Sequence, residues 1–265
     1  MDTYKGYGNY GFIPITAAGF CKAISQLAGP TTLEKYLKLV MITLMNDFER
    51  RLAQRKVTAS IIQLFHLEFQ RILSEMKEQR EAYYLPCKDR FLKDLAICRL
   101  KLYPCGAELI DELSGVPRSI MINKGLSQFS RSLPYFLFNL KGFRPVYEMH
   151  MHAPLKTSFN VEGWNQCFKR ICELLLINPD IKGVSCVSWW YDPALETISP
   201  RLAYLRQQPL EGGARIFFVA TDKYAKSGAI EKSKTRRKLY ERGQYCPKLF
   251  LMIWSRDDLI RWASK

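Results

Sequence analysis

The sequence predicts an α/β fold in which a mixed central sheet is flanked by helices and preceded by an N-terminal helical pair. From residue 144 onward, strand-like and helix-like segments alternate four times, which is typical of a sheet with at least some parallel strands. Before that point, two long stretches repeat apolar residues at helical spacing. We expect residues 1–85 to hold an irregular segment and the helical pair, and residues 86–265 to hold the α/β domain, packed together as one unit.

The N-terminal half contains the two predicted helices and two predicted strands. Residues 1–30 are rich in glycine and tyrosine and are expected to be irregular. One helix begins near Thr32 after suitable capping threonines, and the other runs from about Ala59 to Arg80. After Pro86 the apolar period changes, which predicts strands at residues 95–103 and 108–113.

The C-terminal half follows a regular order of elements. Residues 125–140 are apolar and helical, and residues 144–152 alternate as a strand. Asn160 is a suitable cap for the next helix, which a strand at residues 182–190 follows. The remaining predicted elements are a helix at 201–206, a strand at 214–220, a basic helix at 229–242, a strand at 248–254 and a short helix at 257–264.

The charge balance favours an anionic partner. Lys and Arg number 40 against 25 Asp and Glu, which gives a net charge of +15. Such an excess suits a phosphate-bearing cofactor, an acidic carrier protein, nucleic acid or an anionic membrane surface. A basic proteome background is the alternative explanation.

Several other classes of function and location are disfavoured. No apolar run approaches the ~20 residues of a membrane span, and the N-terminus lacks a secretion signal. The eight cysteines form no C-x-x-C pair, so we expect a soluble cytoplasmic protein with free thiols and no metal site. Nucleotide-binding glycine loops and the serine-hydrolase G-x-S-x-G elbow are also absent from the sequence.

Two groups of residues are catalytic candidates. Glu148, His150 and His152 alternate on one predicted strand, so their side chains would share a face and could supply a general base. A metal site with further ligands, or a solvated edge strand, would have the same pattern. Asp192 follows the predicted strand that ends in Trp189 and Trp190, where it could orient an amine or hydroxyl, or make a turn before proline.

Two basic segments are candidates for binding a cofactor. Arg201, Tyr204 and Arg206 share a predicted short helix capped by Ser199, a plausible anion site. The densest basic run could hold the phosphates of a cofactor, an acidic helix or RNA. It contains Lys226, Lys232, Lys234, Arg236, Arg237, Lys238 and Arg242, with Tyr240 and Tyr245 interleaved. In both segments the alternative is a solvated helix face.

Residues 91–256 resemble the GNAT acyltransferase superfamily in their order of elements. The stretches VSWWYDP at 187–193, SPRLAYL at 199–205 and TRRKLYERG at 235–243 also resemble an uncharacterised bacterial family of GNAT-like proteins. In the GNAT fold a central strand feeds a long helix, a second strand, another helix and a closing strand pair. The resemblance implies that the strand around Met149 splays from the strand around Val187, which leaves a slot for a thioester.

The resemblance implies an acyltransferase that uses acyl-CoA or acyl-phosphopantetheine as its donor substrate. The segment at 153–160 has none of the glycines of the usual pyrophosphate loop, a feature shared by some relatives that use acyl carrier protein. Glu148 or His150 would then take the acceptor's proton, and the basic segment would hold the phosphopantetheine or the carrier. The alternative function is a non-catalytic basic module that binds nucleic acid or an anionic membrane surface.

Overall fold

The computed structural model describes residues 12–13, 15–85 and 88–265. These residues fall into two compact units. The first comprises the described residues up to Ile110 together with Met151–Thr157. The second comprises Asp111–His150 and Ser158–Lys265. Residues 1–11 and residue 14 of the predicted irregular segment lie outside the described residues.

The strands form one mixed sheet, which confirms the predicted α/β class with flanking helices. They are β1 (Leu102–Pro104), β2 (Glu108–Ser114), β3 (Val146–Met151), β4 (Gly183–Ser188), β5 (Arg215–Thr221) and β6 (Lys248–Ser255). Their order in the sheet is β1-β2-β3-β4-β6-β5. β3 and β4 are parallel, whereas β6 is antiparallel to both β4 and β5.

The first unit is mostly helical. Its helices are α1 (Ile15–Ala28), α2 (Pro30–Asn46), α3 (Phe48–Leu52), α4 (Ala59–Met76) and α5 (Asp89–Cys98). The predicted helical pair is present as α2 and α4, but α2 begins at Pro30 with Gly29 as its N-cap, so the predicted capping threonines lie inside the helix. The irregular conformation predicted for residues 15–28 is wrong, because α1 lies there.

The strand predicted at residues 95–103 is also wrong over most of its length. Residues 91–98 are buried on every side of α5, so their apolar pattern could not distinguish a strand from a buried helix. The helix ends where Leu100 adopts a φ of 56° and Lys101 donates its N–H to the Ala96 carbonyl. Only β1 remains of the predicted strand.

Aromatic rings form the centre of the first unit. Phe48 packs against Phe65 and Phe69 with ring centroids 5.3 and 5.0 Å apart. Phe65 also meets Tyr103 of β1 at 5.7 Å. Each fully buried ring of this kind stabilises the fold by roughly 1.5–3 kcal/mol relative to an exposed one. These contacts fix α3, α4 and β1 against one another.

The second unit contains the regular alternation that the sequence predicted. Its helices are α6 (Leu126–Pro134), α7 (Val161–Ile177), α8 (Leu195–Ile198), α9 (Tyr204–Glu211), α10 (Lys234–Glu241) and α11 (Arg256–Ala263). A π-helical turn at Tyr135–Asn139 continues α6. Several boundaries differ from the prediction. α10 begins only at Lys234, and a 3-10 turn at Pro200–Leu202 precedes α9. The strand predicted at 182–190 ends at Ser188, because Trp189–Tyr191 form a 3-10 turn.

The core of the second unit joins the π-helical turn to the sheet. Phe136 stacks on Phe217 of β5 with ring centroids 5.8 Å apart. The Tyr135 hydroxyl donates to the Ile253 carbonyl at 3.2 Å and accepts from the Ser255 N–H at 2.9 Å. A buried polar group with both partners satisfied specifies one arrangement of this turn on β6. Among the described residues, no helix is long and apolar enough to cross a membrane.

Candidate functional site

The parallel strands β3 and β4 are paired only at their beginnings. The Lys182 N–H donates to the Pro145 carbonyl at 3.0 Å just before the strands start. The register then pairs Tyr147 with Val184 and Glu148 with Ser185, and within the described residues it ends there. By contrast, β4 pairs with β6 along all six of its residues. The two parallel strands therefore part toward their carboxyl ends, where α/β sheets place ligands.

Glu148 lies at the point where β3 and β4 part. Its Oε2 accepts a hydrogen bond from the Ser114 hydroxyl of β2. Burial raises the pKa of Glu148, the nearby Asp111 raises it further, and the bond from Ser114 opposes them. A carboxyl group whose pKa is raised above its ordinary range is a better general base near neutral pH than an exposed one.

The two candidate histidines have different positions. His150 is buried within β3, two residues beyond Glu148 and on the same side of the strand. β3 ends at Met151, so His152 lies beyond the ladder in the first unit. There its Nε2 lies 3.0 Å from Asp94 Oδ1, and both side chains are fully buried. The proposed roles of Glu148, His150 and His152 stay predictions.

The contacts of His152 belong to a charge network centred on Arg71 of α4. Arg71 donates from Nε to Glu68 at 2.9 Å and from Nη1 to Glu75 at 2.9 Å. Its Nη2 bonds to Glu68 at 2.7 Å and also to Asp94. The other Asp94 oxygen accepts from the Tyr83 hydroxyl. One largely buried guanidinium is therefore surrounded by three carboxylates.

The network fixes the charge of its members. Burial alone would raise the pKa of Asp94, but the hydrogen bond from His152 and the charge of Arg71 outweigh it and lower the pKa. Asp94 is accordingly ionised. Burial and the Asp94 charge together raise the pKa of Tyr83, which stays neutral and donates its proton.

Part of this network has the composition of a metal site. Glu68, Asp94 and His152 each offer a ligand atom, and these atoms lie within 4.8 Å of one another. However, Arg71 Nη2 bonds to both carboxylates and lies 3.4 Å from His152 Nε2. A metal ion would have to displace this cation, because two positive charges at one position repel strongly. We interpret the cluster as an ion-pair network.

A second group of polar side chains lies beyond the carboxyl end of β4. Asp192 is buried, and its Oδ1 accepts from the Ala194 N–H at 3.1 Å in a turn. Burial raises the pKa of Asp192, opposed by the Ala194 hydrogen bond and by the charges of Lys248 and Arg206. Tyr245 is buried nearby, and its hydroxyl has no hydrogen-bond partner among the described residues.

Arg236 of α10 is buried in the same unit without a carboxylate partner among the described residues. Its guanidinium lies over the Trp189 ring, 4.6 Å from the centroid. Nη1 donates to the Ser199 hydroxyl at 2.8 Å, and Nε donates to the Ala229 carbonyl. Burial lowers the pKa of Arg236, and only the nearby Tyr245 opposes this. Neutral groups thus hold a cation whose charge is not compensated within the described part of the chain.

The other predicted cofactor-binding residues are more exposed. Arg201 is exposed, Tyr204 is half-buried, and Arg206 forms an ion pair with Glu196 at 2.5 Å. Ser199 was expected to cap a helix, but its side chain makes no cap and instead accepts from Arg236.

On α10, the side chains of Lys234 and Arg237 are exposed. Tyr240 donates its hydroxyl to the Lys223 carbonyl at 2.6 Å. Ser233 is the cap of this helix, because its hydroxyl accepts from the Arg236 N–H at 3.2 Å. The structure thus separates one buried arginine from an otherwise exposed basic face.

The start of α7 is closed by its own side chains. The predicted cap is confirmed, since Asn160 Oδ1 accepts from the Gly163 N–H at 2.9 Å. Glu162 adds a negative charge to the first turn. A side chain at Gly163 would overlap the Ser158 carbonyl, so only glycine fits this close approach. The helix start is therefore poorly suited to bind a pyrophosphate.

Sequence patterns missed the network around Arg71 and the buried Glu108. Burial raises the pKa of Glu108 to about 8, and neither carboxyl oxygen has a partner among the described residues. Charged residues inside apolar runs were the available signal, as with Lys93 and Asp94 between Leu92 and Leu95.

Comparisons with protein-family models, curated proteins and solved structures gave no match.

Proposed function

We propose that this protein is an acyltransferase that moves an acyl group from a thioester to an amine or hydroxyl acceptor. The observation that carries the proposal is the parting of β3 and β4 after Glu148 and Ser185. A thioester arm placed between the parted strands can form hydrogen bonds with backbone N–H and C=O groups that would bond to each other in a continuous ladder. The GNAT resemblance implies a thioester slot between these two strands.

The order of elements in the second unit supports the same proposal. β3 leads into the long helix α7, which is followed by β4, by α8 and α9, and by the closing pair β5 and β6. This order agrees with the pattern of the GNAT fold described above. It also brings Asp192 and Tyr191 to the carboxyl end of β4, next to the parted strands.

Glu148 is the proposed general base. The acceptor nitrogen or oxygen forms a bond to the thioester carbonyl carbon, and Glu148 takes the proton that the acceptor loses. The carbon–sulfur bond then breaks, and the leaving thiolate takes this proton from Glu148, which regenerates the base. A backbone N–H of the parted strands would stabilise the negative charge on the carbonyl oxygen. His150, on the same side of β3, would position the acceptor.

The proposed donor is acyl-phosphopantetheine on an acidic carrier protein, or acyl-CoA. Arg236 supplies a positive charge that no carboxylate of the described residues compensates. The exposed cations Lys234, Arg237 and Lys238 of α10 and Arg242, which directly follows the helix, lie close to it in sequence. An acidic carrier helix would be attracted to this face. The closed start of α7 favours the carrier over free coenzyme A. We place the reaction in the cytoplasm, where such carriers and reduced thiols occur.

The experiment is incubation with panels of acyl-CoA and acyl-carrier thioesters, together with amine and hydroxyl acceptors, followed by mass spectrometry. We expect loss of thioester and a matching gain in acceptor mass. Glu148→Gln should reduce turnover by at least about 10²-fold. The matched control is Glu78→Gln, which removes an exposed carboxylate outside the candidate site and α10 and should not change turnover.

A second variant tests the environment of the base. Ser114→Ala removes the hydrogen bond that holds the pKa of Glu148 down. We expect the acidic limb of the pH–rate profile to move to higher pH, while turnover at alkaline pH is retained. If wild-type protein neither binds nor consumes any thioester, the proposal is refuted.

The second candidate function is a non-catalytic basic module that binds nucleic acid. The observation that favours it is the exposed basic face of α10, continued by Lys223 and Lys226 and the exposed ring of Tyr224. Phosphate contacts would make binding steeply dependent on salt. A gel shift at low and moderate salt tests it, and salt-insensitive or absent binding would reject it.

A further inference from the structure

The segment from Gly115 to Tyr147 has a one-sided charge. It contains five basic residues and no Asp or Glu: Arg118, Lys124, Arg131, Lys141 and Arg144. All five side chains are exposed. Lys141 forms an exposed ion pair with Asp257 at 3.2 Å, and the other four make no ion pair within the described residues. The local surface is therefore positively charged.

The same segment exposes large apolar side chains. Leu126 is 86% exposed, Phe138 75%, Ile122 63% and Leu137 55%. Leu126 and Leu137 lie eleven residues apart in the continuous α6 and π-helical stretch, close to three helical turns, so they lie near the same face. Large exposed apolar side chains grouped in this way mark interaction surfaces, whereas single ones need no explanation.

Ile122 lies just before α6, and the helical stretch that carries Leu126, Leu137 and Phe138 is anchored on its other side. Gln128 donates to the carbonyls of Ile120 at 2.5 Å and Phe218 at 2.9 Å, and accepts from the Phe218 N–H at 3.0 Å. Phe136 and Tyr135 are buried in the core of the second unit. The apolar face is thus held outward by buried contacts on the opposite side of the same element.

We propose that this face, called here the apolar–basic face and made of Ile122, Leu126, Leu137 and Phe138 with Lys124 and Arg131, binds the surface of a bilayer that contains anionic phospholipid. Apolar side chains would enter the headgroup boundary while the cations meet lipid phosphates. A nucleic acid would satisfy the cations but leave the apolar side chains in water. The proposal does not depend on acyl transfer, and none of the residues of this face belongs to α10.

The experiment is co-sedimentation of the full chain with vesicles of phosphatidylcholine alone or of equal parts phosphatidylcholine and phosphatidylglycerol. We expect binding to the anionic vesicles and little binding to the neutral ones. The double variant L137S/F138S should bind at least about tenfold more weakly, because it removes two exposed apolar side chains. L176S is the matched control, since Leu176 of α7 is 56% exposed and lies outside the face.

A charge variant separates the two contributions. K124Q/R131Q should reduce the preference for phosphatidylglycerol several-fold while leaving residual binding through the apolar side chains. Thermal unfolding of each variant verifies the fold, because all the substituted side chains are exposed. Equal binding of wild type, L137S/F138S and L176S, or no binding of wild type, would overturn the proposal. So would a self-associated wild type that L137S/F138S turns into a monomer, since the face would then join two copies.

Discussion

Arg71 and Arg236 are both largely removed from solvent, and their surroundings are opposite. Arg71, in the first unit, is bonded to Glu68, Glu75 and Asp94. Arg236, in the second unit, is held by a tryptophan ring, a serine hydroxyl and a backbone carbonyl. The first charge is more than compensated, whereas the second is not compensated within the described residues.

The difference indicates different uses of a buried cation. A guanidinium enclosed by carboxylates has its donors occupied, so it holds helices together and has little left for a ligand. A guanidinium held by neutral groups keeps its positive potential. In a poorly solvated site, this potential attracts a phosphate or carboxylate ligand strongly. This contrast motivates the assignment of Arg236, and not Arg71, to donor binding.

Replacing each arginine by methionine tests the contrast most directly. Arg71→Met leaves Glu68 and Asp94 buried without their cation, so we expect the free energy of unfolding to fall by about 3–5 kcal/mol. Arg236→Met loses two hydrogen bonds and a ring contact, but it leaves no carboxylate buried without a partner. We therefore expect the free energy of unfolding to fall by only about 1–2 kcal/mol. Urea unfolding measures both. Equal losses would remove the distinction between the two sites.

The buried carboxyl of Glu108 should make stability depend on pH. Its pKa of about 8 in the folded protein exceeds its ordinary value of 4.5. The folded state therefore holds a proton that the unfolded chain loses, and the free energy of unfolding falls as pH rises between these values. The slope from this group is roughly 1.4 kcal/mol per pH unit.

Glu108→Gln should remove this contribution, so the variant becomes more stable than wild type as pH is raised from 5 to about 8. Urea unfolding at three pH values measures it. Glu78→Gln, an exposed carboxylate of the same unit, is the control and should follow wild type. Parallel curves for wild type and Glu108→Gln would show that Glu108 is not protonated in the fold.

Anion binding by Arg236 can be measured without knowing the donor. Inorganic pyrophosphate should raise the thermal midpoint of wild type, with a stabilisation of about 1.4 kcal/mol at ten times the dissociation constant. Arg236→Met should lose this response. Arg237→Met, which removes an exposed cation of the same helix, should keep most of it. An unchanged response of Arg236→Met would place the anion elsewhere on the basic surface.

The smallest effect on stability is expected at the exposed ion pair of Asp47 and Arg50. The two side chains are 2.6 Å apart at the surface, and the hydrogen bond from Arg50 lowers the pKa of Asp47. Solvent screens such pairs, so Asp47→Asn should leave the urea midpoint nearly unchanged. A large loss would mean that the ion pair itself, and not burial, explains the importance of Arg71.

The sequence predicted most elements of the second unit because each has a local signal. Asn160 caps α7 as expected, and the strands β4 and β6 lie where short apolar runs are bounded by turn residues. α5 was mistaken for a strand because a helix buried on all sides loses its polar face. Ser199 was expected to cap a helix, but a residue 37 positions away, Arg236, uses its hydroxyl instead.

By itself, the sequence determined the α/β class, the basic charge and the residues available for chemistry, since periodicity and composition are local or additive properties. Only the tertiary structure decided where β3 and β4 part, that His152 faces Asp94, and which arginine of the basic run is buried. These outcomes depend on contacts between residues far apart in the chain. Burial and electrostatic compensation, unlike charge, are properties of such contacts.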